Sequence, residues 1–312
     1  MVDKELRSSF GPLKILSFLL SRTWGINLIN FSLNFFKGKN IKGLSCEERF
    51  IPSKNGGPDI RIRIFKPLNI NGKLPAMLYC HGGGYVAMNP EFSLGVIKKF
   101  IETRPCVIIA PDYRKALRTP FPAGFNDCFD TLLWAKENAD TLGIHSSNFI
   151  VAGHSAGGGL TTAITWKARD TQVVNIAFQM PIYPMIDDRQ ITDSAKDIHV
   201  PVWNTKTNSL AWNSYLKEVK GEDIPKYAAA ARNTDYKNFP PTITFVGEFE
   251  PFRDENIEYV EALKKEGIPV EFKFYKGCFH GFDILVAGSS IAKDALGFTY
   301  QSYAKYYDTY IS

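Results

Sequence analysis

The sequence lacks a hydrophobic run long enough to cross a membrane. Its most lipophilic stretch, Leu13–Phe36, is interrupted by Lys14, Arg22 and several asparagines, whereas a spanning helix needs about 20 consecutive apolar residues. A secretory leader is not expected either, because the opening residues MVDKEL include two acids and no small-residue cleavage site closes the apolar stretch. We therefore predict a cytoplasmic protein with no stable membrane span.

Cysteine is scarce, and charge of one sign is not concentrated anywhere. The five cysteines form no Cys-x-x-Cys pair and are an odd number, which excludes a zinc site of that spacing and fits a reducing compartment. The 37 basic and 32 acidic residues leave a net charge of +5, without a basic run or stripe. Nucleic acid is therefore not an expected partner.

Short apolar runs alternating with helical patterns dominate the middle and end of the chain, which has 312 residues. This alternation is typical of a parallel sheet covered by helices, so we predict an α/β fold. Helical periodicity is clearest in Phe125–Ala139 and Glu255–Glu266. The predicted strands are Asp59–Phe65, Pro75–Cys80, Cys106–Ala110, Asn148–Ala152, Asn175–Met180, Pro241–Val246 and Val270–Tyr275.

The strongest local motif is the pentapeptide GHSAG at residues 153–157. It directly follows the predicted strand Asn148–Ala152 and leads into the helical segment Gly158–Lys167. In a strand–turn–helix context, the glycines of G-x-S-x-G permit a strained turn that exposes the serine hydroxyl at the carboxyl end of the sheet. The motif therefore predicts Ser155 as a nucleophile.

A serine nucleophile needs a histidine base, and the motif predicts the chain order serine, acid, histidine. Of the five histidines, only His199 and His280 follow Ser155. His280 lies in the loop KGCFHGF after the last predicted strand, whereas His199 lies in an irregular segment. We predict His280 as the base.

The acid is expected after the strand Pro241–Val246, where four carboxylates compete. Asp254 and Glu255 directly precede a predicted helix, so we expect them to cap it and to interact with its positive end. Glu248 and Glu250 lie nearer the end of the strand. Spacing alone does not separate those two.

A second motif, HGGGY at residues 81–85, follows the predicted strand Pro75–Cys80. Consecutive glycines let backbone N–H groups approach a developing oxyanion, and acyl transfer through a tetrahedral intermediate needs such donors. A phosphate-binding loop is the rival interpretation, but neither G-x-x-x-x-G-K-[ST] nor G-x-G-x-x-G is present at this strand. The motif therefore predicts an oxyanion hole.

The chain resembles the α/β-hydrolases of the hormone-sensitive-lipase-like group, the family IV carboxylesterases. The resemblance runs from His81 to Phe282 in five ordered blocks. These blocks are HGGGYVAMNPEF, PDYRKALRTPFPAGFNDC, GIHSSNFIVAGHSAGGGL, VGEFEPFRDE and YKGCFHGF. The resemblance implies a mostly parallel central sheet flanked by helices, with a helical cap.

The resemblance also implies a catalytic triad of Ser155, His280 and Glu250, the residue before Pro251. Many members of the family carry aspartate at the position of Glu250, and many carry an acid at the position of His154. Because His154 adjoins the nucleophile in a sharp turn, we expect it to point away from the hydroxyl and to act in packing or hydrogen bonding. Glu248 remains the alternative acid.

Two further features follow from the resemblance: the oxyanion hole and the cap. The oxyanion donors would be the backbone N–H groups of Gly83, Gly84 and Ala156, while Gly82 permits the turn. The segments 1–45 and 185–222 would form the cap over a core of residues 46–184 and 223–312. Part of the cap, the amphipathic stretch Leu13–Phe36, would line an acyl pocket.

The resulting hypothesis is an enzyme that hydrolyses short- to medium-chain carboxylic esters through an acyl-enzyme, without metal or organic cofactor. The same triad would serve a lipase, amidase, thioesterase or deacetylase, and the same fold serves non-catalytic ligand-binding proteins. A third alternative is a surface-bound lipolytic enzyme with Leu13–Phe36 as an interfacial helix. The expected partner is a small-molecule ester, and assembly into a homo-oligomer is left open.

Overall fold

The computed structural model describes residues 1–69, 71–219 and 223–311, and in these ranges one eight-stranded sheet forms the centre. In spatial order the sheet is β1–β2–β4–β3–β5–β6–β7–β8, antiparallel at β1–β2 and β2–β4 and parallel elsewhere. The predicted fold class, a mostly parallel sheet flanked by helices, is confirmed. The strands are β1 (Leu44–Ile51), β2 (Ile60–Pro67), β3 (Ala76–Cys80), β4 (Val107–Pro111), β5 (Phe149–His154), β6 (Ile176–Ile182), β7 (Thr242–Phe249) and β8 (Val270–Phe279).

Helices cover both faces of this sheet and the edge at which its parallel strands end. α4 and α12 pack on one face, α5 and α7 on the other. Short 3₁₀ turns occur at Pro90–Ser93 and Ala230–Arg232. The α-helices are α1 (Lys4–Arg7), α2 (Phe10–Leu20), α3 (Thr23–Asn34), α4 (Leu94–Thr103), α5 (Ala123–Glu137), α6 (Ala139–Leu142), α7 (Ala156–Thr171), α8 (Asp193–Lys196), α9 (Thr205–Tyr215), α10 (Arg253–Lys265), α11 (Phe282–Leu285) and α12 (Ser290–Tyr310).

The central strands are apolar on both faces because each face is covered by helices. In β3, which is buried throughout, Leu78 and Cys80 belong to the apolar core on the α5–α7 face. Met77 and Tyr79 alternate with them and belong to the core on the α4–α12 face. A continuous apolar run is therefore the pattern expected of such a strand, and all seven predicted strands are present.

The two segments predicted to form the cap, 1–45 and 185–222, both contact the carboxyl end of the sheet. The first contains α1, α2 and α3, and the second contains α8 and α9 between β6 and β7. The last residues of the second predicted cap segment, 220–222, lie outside the described residues, as do residues 70 and 312 of the predicted core. Among the described helices, none has the length and apolar character needed to cross a membrane.

Candidate active site

The GHSAG motif forms a sharp turn between β5 and α7. Ser155 stands at the turn with φ 60° and ψ −121°, a conformation that L residues rarely adopt and that costs about 1–3 kcal/mol. The backbone holds it there from both sides: the Ser155 N–H donates to the Ile182 carbonyl at 2.9 Å, and the Ser155 carbonyl accepts from Met185 at 3.1 Å. The serine hydroxyl is thereby fixed at the carboxyl end of the parallel strands.

Glycine is required on both sides of this turn because other backbone lies against it. A Cβ at Gly157 would stand 2.0 Å from the carbonyl oxygen of Cys80, and a Cβ at Gly153 would stand 2.4 Å from that of Gly157. No side chain fits at such distances. The close approach brings the end of β3, with its glycine-rich loop, against the nucleophile turn.

Three side chains from three separate loops form one hydrogen-bonded line. His280 Nε2 lies 2.8 Å from Ser155 Oγ, and His280 Nδ1 lies 2.5 Å from Glu250 Oε2. The other oxygen of Glu250 accepts a hydrogen bond from the Gly247 N–H at 2.6 Å. Glu250 is fully buried and the other two are nearly so, so the line has the geometry of nucleophile, base and orienting carboxylate.

Aromatic side chains hold the imidazole of His280 in this orientation. The rings of Tyr183 and Phe252 stand edge-on to it at centroid distances of 4.8 and 5.0 Å, and Trp203 lies 6.2 Å away. No sequence motif marks these three residues. Tyr183 directly follows the end of β6, so its place at the carboxyl end of a buried strand could have indicated a position near the site. Trp203 and Phe252 lie in irregular segments, where no sequence pattern indicates such a position.

The alternative acid, Glu248, contacts the end of β8 and not His280. Its Oε2 accepts a hydrogen bond from the Gly277 N–H at 2.7 Å. The carbonyl of Gly277 in turn accepts from the N–H of Asp3. Glu248 therefore stabilises the end of β8 and the attached N-terminus, while Glu250 alone of the two contacts His280.

The expectation that Asp254 and Glu255 cap the following helix was wrong, although both lie in its first turn, near its positive end, as was also expected. α10 has no side-chain cap; instead Asp254 accepts from the Ser194 N–H at 2.8 Å, and the buried Glu255 accepts from the Ile186 N–H at 2.8 Å. Burial raises the pKa of Glu255 well above its usual range. Both carboxyl groups thus fasten the segment after β6 to the catalytic core.

The remaining histidine candidates lie in other environments. His199 is exposed on the surface and its Nε2 contacts Asp197 at 2.6 Å. His154 is buried, and its Nδ1 lies 2.9 Å from the Tyr79 hydroxyl. Burial lowers the pKa of His154 to about 3, so this imidazole is neutral. It acts in packing and hydrogen bonding beside the nucleophile.

The HGGGY loop lies directly against the nucleophile turn. His81 is buried, stacks on Tyr113 at a centroid distance of 4.2 Å, and its carbonyl accepts from the Tyr113 hydroxyl at 2.9 Å. Gly83, with φ 111°, has its α-carbon so close to the Ala87 carbonyl that a Cβ would stand 2.2 Å from that oxygen. His81 and Tyr113 thus stabilise this loop, and the backbone at residue 83 leaves room for glycine only.

The three predicted oxyanion donors remain available. Across residues 1–69, 71–219 and 223–311, the backbone N–H groups of Gly83, Gly84 and Ala156 make no hydrogen bond to protein. Gly83 lines the same cavity as Ser155. Unpaired amides beside a nucleophile can receive the negative charge of a tetrahedral intermediate.

An apolar cavity of about 80 Å³ encloses Ser155 and His280. Both cap segments contribute to its wall, the first through Leu16 and Leu20 of α2 and the second through Trp203. Of the stretch that was expected to line an acyl pocket, only these two leucines line this cavity; α3 does not. The remaining wall is formed by Tyr79, Gly82, Gly83, Met88, Phe92, Ser93, His154, Tyr183, Val202, Gly281, Ile284 and Leu285.

A buried carboxyl group, Asp283, lies behind this cavity and gives a testable pH dependence. The Tyr183 hydroxyl donates to its Oδ1 at 3.0 Å, and burial raises the pKa of Asp283 from 3.8 to about 6. Between these values the folded protein retains a proton that the unfolded chain releases. Its contribution to the free energy of unfolding therefore falls as the pH rises through this window, by about 3 kcal/mol at most.

We expect Asp283→Asn to remove that decline, because the amide stays neutral at every pH and can still accept from Tyr183. Urea unfolding of both proteins between pH 4 and pH 7 measures the effect. The variant should gain stability relative to the parent chain as the pH rises from 4 to 6, with no further gain above. A difference between the two proteins that does not change with pH would contradict the assignment.

Known proteins resemble this chain in both sequence and structure. Residues 77–284 match the sequence profile of a family described as alpha/beta hydrolase fold. A carboxylesterase of Mycobacterium tuberculosis, NlhH, is 29% identical over 242 residues, covering 77% of this chain and 76% of its own. An arylesterase of Saccharolobus solfataricus is 28% identical, covering 72% and 73%. The solved structure of a bacterial heroin esterase superposes with a TM-score of 0.90 at 31% identity, covering 98% of both chains.

Proposed function

Since this chain belongs to the α/β-hydrolase family, among the hormone-sensitive-lipase-like esterases, we propose that it is a carboxylesterase whose nucleophile is Ser155. The observation that carries the proposal is the continuous line from Ser155 through His280 to the buried Glu250. Ester hydrolysis is the activity named for its relatives. The residue roles and the range of substrates are our inference.

In the first half-reaction His280 accepts the proton of Ser155 as Oγ attacks the ester carbonyl. Glu250 holds the imidazole by its Nδ1 and stabilises the imidazolium that forms. The protonated His280 then gives its proton to the leaving alcohol, and the acyl group stays on Ser155. In the second half-reaction His280 takes a proton from water as the water oxygen attacks the acyl-enzyme. As the bond between the acyl carbon and Ser155 Oγ breaks, the imidazolium returns this proton to Oγ, which releases the acid and restores the free enzyme.

The amides of Gly83, Gly84 and Ala156 are proposed to receive the oxyanion in both steps. Two features support this: they have no protein acceptor in the described chain, and the turn at Gly157 brings their loops together. Such donors act only on the charge that develops in the transition state, and one of them typically contributes about a hundred- to a thousandfold in rate.

The small cavity favours short acyl chains. Its volume of about 80 Å³ is well below the roughly 300–1,000 Å³ of sites that hold drug-sized ligands. With a series of p-nitrophenyl esters from acetate to palmitate, kcat/KM should rise by up to about fourfold for each methylene the cavity holds, since its burial contributes about 0.8 kcal/mol. Beyond that length kcat/KM should fall.

Two leucines of α2 provide a matched test of this cavity. Leu20→Ala enlarges the wall and should move the preferred acyl chain to greater length, whereas Leu13→Ala removes a buried leucine that does not line the cavity. Leu13→Ala should leave the preference unchanged. An unaltered profile in Leu20→Ala would show that the acyl group binds elsewhere.

A non-catalytic binding protein is the second candidate function, and covalent labelling separates it from an esterase. A fluorophosphonate should label Ser155 in the native protein and fail to label it after heat denaturation, because only the aligned His280 activates the hydroxyl. No labelling of the native protein would favour the binding function. Comparison of ester, thioester and amide turnover separates esterase from thioesterase and amidase.

Several further features of the sequence remain predictions. The division into a core, 46–184 and 223–312, and a cap, 1–45 and 185–222, is supported by the contribution of both cap segments to the cavity wall. All five cysteines are free, in keeping with the predicted cytoplasmic location. The proposed reaction requires neither metal nor cofactor, its partner is a small ester, and nucleic acid is not proposed as a ligand.

A further inference from the structure

The outward side of the N-terminal helices carries a row of large apolar side chains. On α3 and the residue that follows it, Trp24, Leu28, Phe31 and Phe35 stand at spacings of four, three and four, so they share one helix face. Phe31 and Phe35 are 61% and 77% exposed, and their rings contact each other at 5.4 Å. A helix of a globular protein ordinarily turns such a face to the core.

α2 extends the row into a continuous surface. Phe18 contacts Trp24 edge-on at a centroid distance of 6.1 Å, and Ile15 precedes Phe18 on the same side of the helix. We refer to this surface as the apolar cap face. It accounts for seven of the thirteen exposed large apolar residues in the described chain. Its members are Ile15, Phe18, Trp24, Leu28, Phe31, Phe35 and Phe36.

Basic residues border the apolar cap face, and carboxylates are absent from its segment. Residues 8–46 of the sequence contain no aspartate or glutamate. The Arg22 guanidinium lies 3.7 Å from the centroid of the Phe18 ring, and the Lys39 ammonium lies 5.9 Å from that of Phe36. The basic residues of this segment are Lys14, Arg22, Lys37, Lys39 and Lys42.

The inner side of the same helices covers the catalytic cavity. Leu16 and Leu20 line it, and the Asn30 side chain bonds the Val86 carbonyl at 2.9 Å and the Met88 N–H at 3.0 Å, just after the glycine-rich loop. α2 and α3 therefore stand between the catalytic cavity and whatever contacts the apolar cap face. A partner there would be separated from the catalytic cavity by these two helices alone.

We propose that the apolar cap face docks on the surface of an anionic lipid aggregate. Apolar and aromatic side chains would enter the interfacial region, while the bordering cations contact anionic headgroups, which is the arrangement of interfacial helices. A second copy of the chain is a poorer occupant. A two-fold contact would bring Arg22 and Lys39 of each copy together without any carboxylate of this segment to neutralise them. Lys37 differs from these two, because its ammonium is already paired with Asp112 at 2.9 Å.

Vesicle binding of the full chain tests the proposal. We expect the protein to float with vesicles of phosphatidylcholine and phosphatidylglycerol, to bind pure phosphatidylcholine vesicles more weakly, and to lose the difference in high salt. Trp24 provides a direct probe, because it is 55% exposed, whereas Trp134 is half-buried and Trp166, Trp203 and Trp212 are buried. Binding should shift tryptophan emission to the blue, and Trp24→Phe should remove most of that shift.

A double variant and a matched control locate the contact. Phe31→Ser with Phe35→Ser should weaken partitioning by about tenfold or more, while Phe50→Ser, which changes a 62%-exposed phenylalanine on β1, should not. Hydrolysis of p-nitrophenyl butyrate in vesicle-free solution should be retained by all variants, which shows that they are folded. This readout also separates a failure of lipid docking from a failure of the proposed esterase function.

Two outcomes would overturn the proposal. One is vesicle binding that the Phe31 and Phe35 substitutions do not weaken. The other is the absence of vesicle binding. Light scattering could then show a dimer that the double variant dissociates. In that case the apolar cap face would be a contact between two copies of the chain.

Discussion

Replacing Ser155 with alanine is expected to lower kcat for p-nitrophenyl butyrate by about 10⁴-fold or more. The substitution removes the only group placed to form the acyl-enzyme and leaves the cavity, the free amides and His280 in place. Burst-phase kinetics and fluorophosphonate labelling should both be lost. The thermal midpoint should remain close to that of the parent chain, since among the described residues the hydroxyl makes one hydrogen bond, to His280.

Ser93 offers a matched control for this variant. It is a second buried serine that lines the same cavity. Its hydroxyl bonds the Tyr79 side chain, and no hydrogen bond joins it to a histidine among the residues that the structure describes. Ser93→Ala should keep kcat within about tenfold of the parent value, because it changes one wall contact and no reacting atom. If Ser155→Ala retained full activity, or if Ser93→Ala alone abolished it, the nucleophile would have to be reassigned.

The central strands were predictable from the sequence because burial on both faces leaves a continuous apolar run. β1 was not predicted: it is the edge strand, and its sequence LSCEERFI is mostly half-buried or exposed. The position of β4 between β2 and β3 was not predictable either, because the order of strands along the chain does not specify their order in the sheet. Those features depend on contacts between residues far apart in the chain.

The site was predictable to the extent that its chemistry is local. The nucleophile and the oxyanion loop lie in contiguous motifs that directly follow strands, so Ser155 and the glycines of residues 82–84 could be named. The aromatic residues around His280 come from three different segments and have no local motif. The capping role expected of Asp254 and Glu255 was wrong because the N–H groups from which they accept belong to the segment after β6, about 60 to 70 residues away in sequence.

The choice between Glu248 and Glu250 shows where sequence spacing fails. Residues two apart in a regular strand point to the same side, so alternation gives both carboxylates equal access to His280. The register with β8 is irregular between Gly247 and Phe249, and β7 ends at Phe249. Glu250 therefore leaves the strand and turns back toward the Gly247 N–H, while Glu248 reaches Gly277.

Glu250→Gln is accordingly expected to reduce kcat by about 10³- to 10⁴-fold. The amide is nearly the same size and can still accept from Gly247, so the fold should be kept. Its NH₂ group, however, has no acceptor capacity for His280 Nδ1–H and carries no charge to stabilise the imidazolium. Loss of the correct tautomer, more than loss of structure, is the reason for the large effect.

Glu248→Gln is the matched control, since it makes the same chemical change two residues earlier. Its amide oxygen can still accept from Gly277, so kcat should change by less than about threefold, with any effect appearing in the free energy of unfolding. Steady-state kinetics and urea unfolding of both variants decide the assignment. If Glu248→Gln lost the greater part of the activity and Glu250→Gln did not, the acid of the triad would be Glu248, and the contact between Glu250 and His280 would serve packing alone.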